Sequence, residues 1–407
     1  MKTIDGARRG RWAGVIALLL AFALLAAACG DDNGDDGPAA PATTVSGDEG
    51  GEAPATTVSG DEGGDAPATT VSGDDDGDAP ETADVSFLIP FPSALTFYSL
   101  HIAEQQGYLE EEGINLSIEA ADGSGAVVQQ VAAGNADMGL AGPGPHLSAL
   151  AQDQPLVSTY VLSTRIPYSL VTPADSGIES VQDLDGKVVG ISEPTGGEAL
   201  FVNALLEMEG VDAEVIEAGG GDTASIALQE GRIDAYSSAT SDIISVGEIF
   251  EAEGEELTRL DMGPFEDFFD VTIVAKPEYV EENADVLSRL GRAITKGTIW
   301  GIENSTGALA VIQGIDPEAV TDCEAARRRL EGQFPNREPT ELMDGLWGYN
   351  VPEVWEATAA FLVENGEIES EVDVSQAFTN DLIDAINDFD RSEVEADAEA
   401  FTDEPAC

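Results

Sequence analysis

Three glycine-bearing turns carry the residue types best suited to gripping a small molecule without a charged side chain. Gly123-Ser124-Gly125 opens a helical run, Gly142-Pro143-Gly144 follows a buried strand, and Thr195-Gly196-Gly197 precedes the apolar-periodic segment EALFVNALLEMEG. A turn that leads into a helix presents free backbone N–H groups, which can hold a phosphate, a carboxylate or a neutral polar edge. Nucleotide chemistry is unsupported. The first turn lacks the third glycine of a dinucleotide turn, and no Gly-Lys-Ser/Thr follows it. Capping of the helices by Ser124 and Thr195 is compatible with a binding role for both. A second constellation is aromatic: Phe91, Phe97 and Tyr98 cluster in IPFPSALTFYSLH, where rings can stack on a planar ligand or wall an alkyl chain. Phe91 and Tyr98 are assigned to binding, and Phe97 to the core or the cleft.

Elements must bring these turns together, and the pattern from Val85 onward supplies them. Apolar β-type runs (VSFLIP, INLSIEA, ADMGLAG, LVSTYVL) alternate with helical patterns (LTFYSLHIAEQQGYLEEEG, GAVVQQVAAG, HLSALAQ). That order predicts a mostly parallel, doubly wound sheet. A second such unit starts near Tyr168, and a strand within Phe268–Val280 leads into a helical C-terminal region. The expectation is therefore a bilobal α/β fold in which the chain crosses back at about Asp270. Gly134-Asn135-Ala136-Asp137 and Gly231-Arg232-Ile233-Asp234 are internal echoes, each following a helix and feeding a strand. Ligands of open parallel sheets sit beyond the carboxyl ends of the strands, which gathers Ser124, Gly125 and Gly142 on one side of a cleft. Thr195, Gly196 and Gly197 face them, with Tyr236, Ser238 and Asp242 on the far wall and Tyr168 at the junction. Arg165, also at the junction, either clamps an acidic ligand or pairs with a neighbouring acid. His101 and His146 read as structural or capping residues, and Trp300, Trp347 and Trp355 as packing.

The N-terminal part has a different character. Lys2, Arg8, Arg9 and Arg11 precede an apolar run from Trp12 to Leu25 that ends in Ala-Ala-Ala-Cys, so residues 1–29 read as a signal peptide with Cys29 as the lipidated residue. Residues 30–84 repeat PATTVSGD three times with almost no large apolar side chain, the composition of a disordered acidic tether. The formal net charge of −62 describes a solvated acidic surface that repels nucleic acid and anionic membrane. Cys323 and Cys407 are left as either one disulfide or two free thiols, and no Cys/His spacing suggests a metal site. The expected boundaries are 85–167 plus 271–390 for lobe I, 168–270 for lobe II, and 391–407 for an acidic tail.

The motifs GYLEEEGINLSIEAADGSGAVVQQVAAGNADMGLAGPG, VQDLDGKVVGIS, TGGEALFVNALLEMEG and LQEGRIDAYSS, in that order, resemble the substrate-binding proteins of ABC importers for nitrate, sulfonates, taurine and thiamine-precursor pyrimidines, the SsuA/THI5-like (NMT1-like) family. The resemblance covers roughly Val85–Pro317. It implies a type II periplasmic-binding-protein clamp with a hinge of two crossover strands, closing on a small solute and delivering it to permease subunits. It further implies a monomer without cofactor, held outside the cell membrane by the lipid on Cys29. Phe91, Tyr98 and Tyr168, with Asp242 or Asp267, favour an aromatic heterocycle such as a pyrimidine; an anion such as nitrate, a sulfonate or taurine is the alternative. Pyrimidine-precursor synthases also resemble this family, but the chain has no clustered cysteines and no lysine suitably placed for a Schiff base, and an enzyme is not expected. An extracytoplasmic sensor module is disfavoured because no signalling domain follows.

Overall fold

The computed structural model describes residues 81–192, 197–369 and 371–407. The expected signal peptide with Cys29, most of the expected tether, Thr195 and Gly196 lie outside the described residues, and of Gly197 only the backbone is described; the tether expected to end at residue 84 ends earlier, because Ala83 and Asp84 already belong to the first strand.

Among the described residues ten strands form two five-stranded sheets in the same order. In the first, β2 (Ile114–Ala120), β1 (Ala83–Ile89) and β3 (Met138–Ala141) run parallel, and β10 (Val271–Ala275) lies antiparallel between β3 and β4 (Val157–Ser163). In the second, β7 (Glu214–Glu217), β6 (Val188–Ile191) and β8 (Ala235–Ala239) run parallel, and β5 (Tyr168–Pro173) lies antiparallel between β8 and β9 (Leu257–Leu260). The protein is thus bilobal α/β, and each sheet takes in one antiparallel strand next to a crossover. Alternation in β1 buries Val85, Phe87 and Ile89, whereas all five residues of the interior strand β10 are buried.

The two sequence echoes perform one physical task. Gly134 and Gly231 end their helices at φ 75° and 66°, where a side chain would be strained. The aspartate three residues later then ties down the first of the parallel strands of its sheet. Asp137 Oδ2 accepts from Ser86 N at 2.8 Å and from Ser86 Oγ at 2.6 Å, and Asp234 Oδ2 accepts from Val188 N at 2.9 Å.

The C-terminal helices divide between the lobes. Leu287, Ile294, Trp300, Leu309 and Ile386 share a core with Phe87 and Leu140 of the first sheet. Trp355, Phe361 and Leu362, from the helix Pro352–Glu364, instead join a cluster containing Val161 of β4 together with Leu170 and Val189 of the second sheet. The expected assignment of 271–390 to lobe I therefore needs adjustment, because part of this region packs against both sheets. The same region covers the edge of β4: Ser158 N donates to Ala377 O at 2.7 Å and Val161 N to Gly348 O at 2.9 Å. His146, fully buried, meets Leu156 O at 2.8 Å and stands edge-on to Trp355. Burial lowers its pKa to about 4, so it is neutral in the folded protein at pH 7.

Residues 391–407, expected as an acidic tail, include the helix Arg391–Ala400, which buries Val394 and Ala398. Cys323 and Cys407 are joined by a disulfide across a sequence separation of 84, holding the C-terminus to the start of the helix Cys323–Glu331. Among the described residues no helix is long and apolar enough to cross a membrane. Closing so long a loop restricts the unfolded chain, so Cys407→Ser is expected to cost about 2–4 kcal/mol. Chemical denaturation with and without a thiol reductant measures this, and the variant should be insensitive to the reductant.

Candidate functional site

The lobes exchange chain at two places, between β4 and β5 and between β9 and β10, and the two crossovers touch where Asp270 N donates to Ser163 O at 3.0 Å. A cavity of about 980 Å³ opens beside this junction. Its volume lies at the upper end of the range for small-molecule sites.

Three helix N-termini border the cavity. Ser124 begins the helix Ser124–Ala133, Gly142 caps Pro143–Leu150, and Thr240 and Ser241 begin Thr240–Glu253. Gly142 N donates to Ser124 Oγ at 3.1 Å, which joins two of these turns. A Cβ on Gly142 would lie 3.3 Å from Asp270 O, so the approach of the crossover here favours glycine. Few donors are left in the last two of these turns: Pro143 and Pro145 carry no N–H, His146 N donates to Gly142 O and Thr240 N to Pro167 O, so Gly144 N of the second helix and the N–H groups of Ser124, Gly125 and Ser241 remain for an acceptor on a ligand.

The walls are aromatic on both sides. Phe91 and Phe97 lie 5.1 Å apart, centroid to centroid, on the first-lobe side, and Phe91 is 47% exposed. Also lining the cavity, Phe201 stacks on Phe361 at 5.2 Å with an interplanar angle of 5°, and Tyr168 lies 6.0 Å from Phe201. Phe268 extends this cluster at 6.0 Å from Phe201.

The sequence-assigned residues divide. Phe91, Ser124, Gly142 and Tyr168 line the cavity. Tyr98 does not: it is fully buried on the first turn of the helix Tyr98–Gln105, against the helix Ala284–Glu303. A Cβ on Gly301 would sit 2.5 Å from its ring, so the glycine makes the space that Tyr98 fills. Phe97, one residue earlier, borders the cavity while only 1% exposed and packed in the first-lobe core. Gly125 is rotated off the cavity by one helical step from Ser124 and is exposed elsewhere. Tyr236 is buried among Val171, Val246 and Phe250, and its hydroxyl donates to Gly219 O at 2.9 Å. Ser238 Oγ donates to Asp242 Oδ2 at 3.0 Å, and this pair stands outside the lining residues; the wall is formed instead by Ala239, Thr240 and Ser241. Arg165 donates to the carbonyl of Pro335 and lies outside the lining set. His101, His146 and Asp267 are likewise absent from the lining.

Two charged groups were missed. Asp270, at the crossover, is partly exposed to the cavity, and desolvation pushes its carboxyl up to about 6 against the opposing influence of Arg337 and of a hydrogen bond with Ser163. Arg337 is 5% exposed and donates to Ser163 Oγ at 2.6 Å, Thr96 O at 2.9 Å and Gln333 Oε1 at 3.4 Å. Burial lowers its pKa. Phe201 was also overlooked, although it stands four residues after Gly197, one turn into the helix Gly197–Glu209.

A family model described as NMT1/THI5 like matches residues 95–308, more than half of the sequence. The chain belongs to the NMT1/THI5-like family. Among curated members related to it, the formylaminopyrimidine-binding protein of Halalkalibacterium halodurans is 25% identical over 313 residues, covering 74% of this chain and 90% of that protein. The riboflavin-binding protein RibY of Chloroflexus aurantiacus is 23% identical over 306 residues, covering 74% and 86%. Among solved structures, the periplasmic sulfonate-binding protein SsuA of Methylobacillus flagellatus superposes with a TM-score of 0.56 at 17% identity, covering 80% of this chain and 98% of that one. The family fold is therefore the two-lobed binding-protein fold, and the cavity lies between its lobes.

Asp270 yields a stability prediction. Its folded pKa of about 6 exceeds the ordinary value of 3.8, so ionisation disfavours the folded state above about pH 6, and this penalty disappears as pH falls toward 4. Asp270→Asn should therefore stabilise the free protein at pH 8 by on the order of 1 kcal/mol, and the gain should vanish near pH 4. Thermal melts across that range test this; a variant less stable than the parent at pH 8 contradicts the assignment.

Proposed function

We propose that the protein is the extracytoplasmic solute-binding lipoprotein of an ABC importer. It holds a flat aromatic heterocycle between its lobes and passes it to membrane permease subunits, with no catalytic step. The observation that carries the ligand class is the aromatic lining of the cavity, with Phe91 and Phe97 from one lobe and Tyr168 and Phe201 from the other. Rings set this way suit a planar solute, each stacked contact adding about 0.5–1.5 kcal/mol beyond area burial. The two relatives aligned over 74% of the chain are named for a pyrimidine and for riboflavin, which supports the same class.

The cellular setting belongs to the same proposal. A signal peptide ending at Cys29, a lipid on that cysteine and the acidic tether would keep a monomer beside its permease. The Cys323–Cys407 disulfide supports an oxidising compartment. A second reading, an anionic solute such as nitrate, a sulfonate or taurine, draws on one observation: Arg337 and three helix N-termini supply donors to the cavity.

Thermal-shift titration of the full chain separates the two readings, because a solute that binds only the folded state raises the melting temperature. Riboflavin or an aminopyrimidine is expected to stabilise the protein, and taurine and nitrate are not. The reverse result selects the anion reading. Phe91→Ala should weaken binding of the heterocycle about 3- to 10-fold while leaving the melting temperature of the free protein nearly unchanged, since Phe91 is half exposed.

A further inference from the structure

The family match ends at residue 308, yet Arg329, Gln333, Asn336 and Arg337 line the cavity from beyond it. They belong to a strap that runs from the helix Cys323–Glu331 past Thr340, and the strap is fastened on several sides. Thr164 N donates to Asn336 O at 2.8 Å and Thr164 Oγ1 to Glu338 O at 2.9 Å, which binds it to the first crossover. Gln333 Nε2 donates to Leu95 O at 3.3 Å, reaching the loop after β1. On the second-lobe side Arg328 pairs with Glu248, and a Cβ on Gly332 would collide with Ile244. The cavity wall built by the strap is accordingly tied to the crossover and to elements of both lobes.

At the centre of this wall Arg337 and Asp270 flank Ser163. The guanidinium reaches Ser163 Oγ, and the backbone N–H of Asp270 bonds to Ser163 O. All three residues border the cavity. The hydrogen-bond partners of Arg337 are three uncharged oxygens, and among the described residues its Nε has none. A guanidinium only donates and an ionised carboxylate only accepts. A sulfonate or nitrate placed here would satisfy Arg337 and confront Asp270, and an ammonium would meet the opposite conflict. A ring edge that carries an N–H beside a carbonyl or ring nitrogen satisfies both.

Resting on the aromatic-solute reading above, we propose that Asp270 and Arg337 read one edge of the bound ring. The ligand is then a neutral heterocycle with adjacent donor and acceptor groups, and the strap beyond residue 308 is a specificity element. Asp270 accepts the ligand N–H, and Arg337 donates to the neighbouring oxygen or nitrogen.

Isothermal titration of the full chain tests this with two matched probe pairs: riboflavin against its N3-methyl derivative, and 4-amino-5-hydroxymethyl-2-methylpyrimidine against its 4-dimethylamino derivative. For whichever parent binds, methylation should weaken binding to the wild type about 10- to 100-fold, as should Asp270→Asn and Arg337→Lys. In Asp270→Asn the methylated probe should bind nearly as well as its parent, because the two changes remove the same contact. Equal binding of parent and methylated probes by the wild type, or a methylation penalty undiminished in Asp270→Asn, overturns the inference while leaving the aromatic-solute reading intact. Failure of the wild type to bind either parent overturns both. Should Arg337→Lys not fold, the Asp270→Asn and methylation arms still decide the question.

Discussion

Everything in this molecule depends on where the chain crosses between its lobes. Strand β4 leaves the first sheet through Ser163 and β10 re-enters beside it through Asp270, and a single backbone hydrogen bond of 3.0 Å joins the two crossings. Since β10 is an interior strand with every residue buried, its position is fixed by the sheet it completes. The crossover that precedes it inherits that precision. A partly buried carboxylate beside a cavity is costly, and its position follows from the fully buried strand that it precedes.

The C-terminal region adds a second set of ties. One part completes the core of the first sheet, another packs on both sheets through Trp355 and Phe361, and the strap around Arg337 is laid across the crossover. The disulfide at Cys323 anchors the helix that leads into the strap. Aromatic rings, helix N-termini and the Asp270–Ser163–Arg337 group consequently come from sequence-distant segments and meet in one cavity.

What the sequence reveals follows from the range of the forces involved. Period-two alternation in β1 and the Gly-x-x-Asp echoes are local, and their roles can be read from neighbouring residues. Ser124 and Gly142 are legible as cavity residues because the carboxyl ends of parallel strands are topologically fixed. Tyr98 is misread because its orientation depends on Gly301, which lies two hundred residues away and opens the space for its ring. Phe201 shares the apolar periodicity of its helix and looks like core. The short strand β9, Leu257–Leu260, has no distinguishing alternation and is defined by its pairing with β5. Arg337 is the extreme case: its backbone acceptor at Thr96 is 241 positions away, and neither residue carries a local sign of the other.

The burial of Arg337 also sets how the protein behaves in brine. With 79 acidic residues against 17 lysines and arginines, the exposed surface carries charges whose mutual repulsion fades as salt shortens the Debye length. A guanidinium that is 5% exposed is largely outside that screening. Rising ionic strength therefore relaxes the shell of the molecule while the polar contacts in its cleft keep their strength. If Arg337 holds the solute as proposed, that contact should depend little on the salinity of the medium.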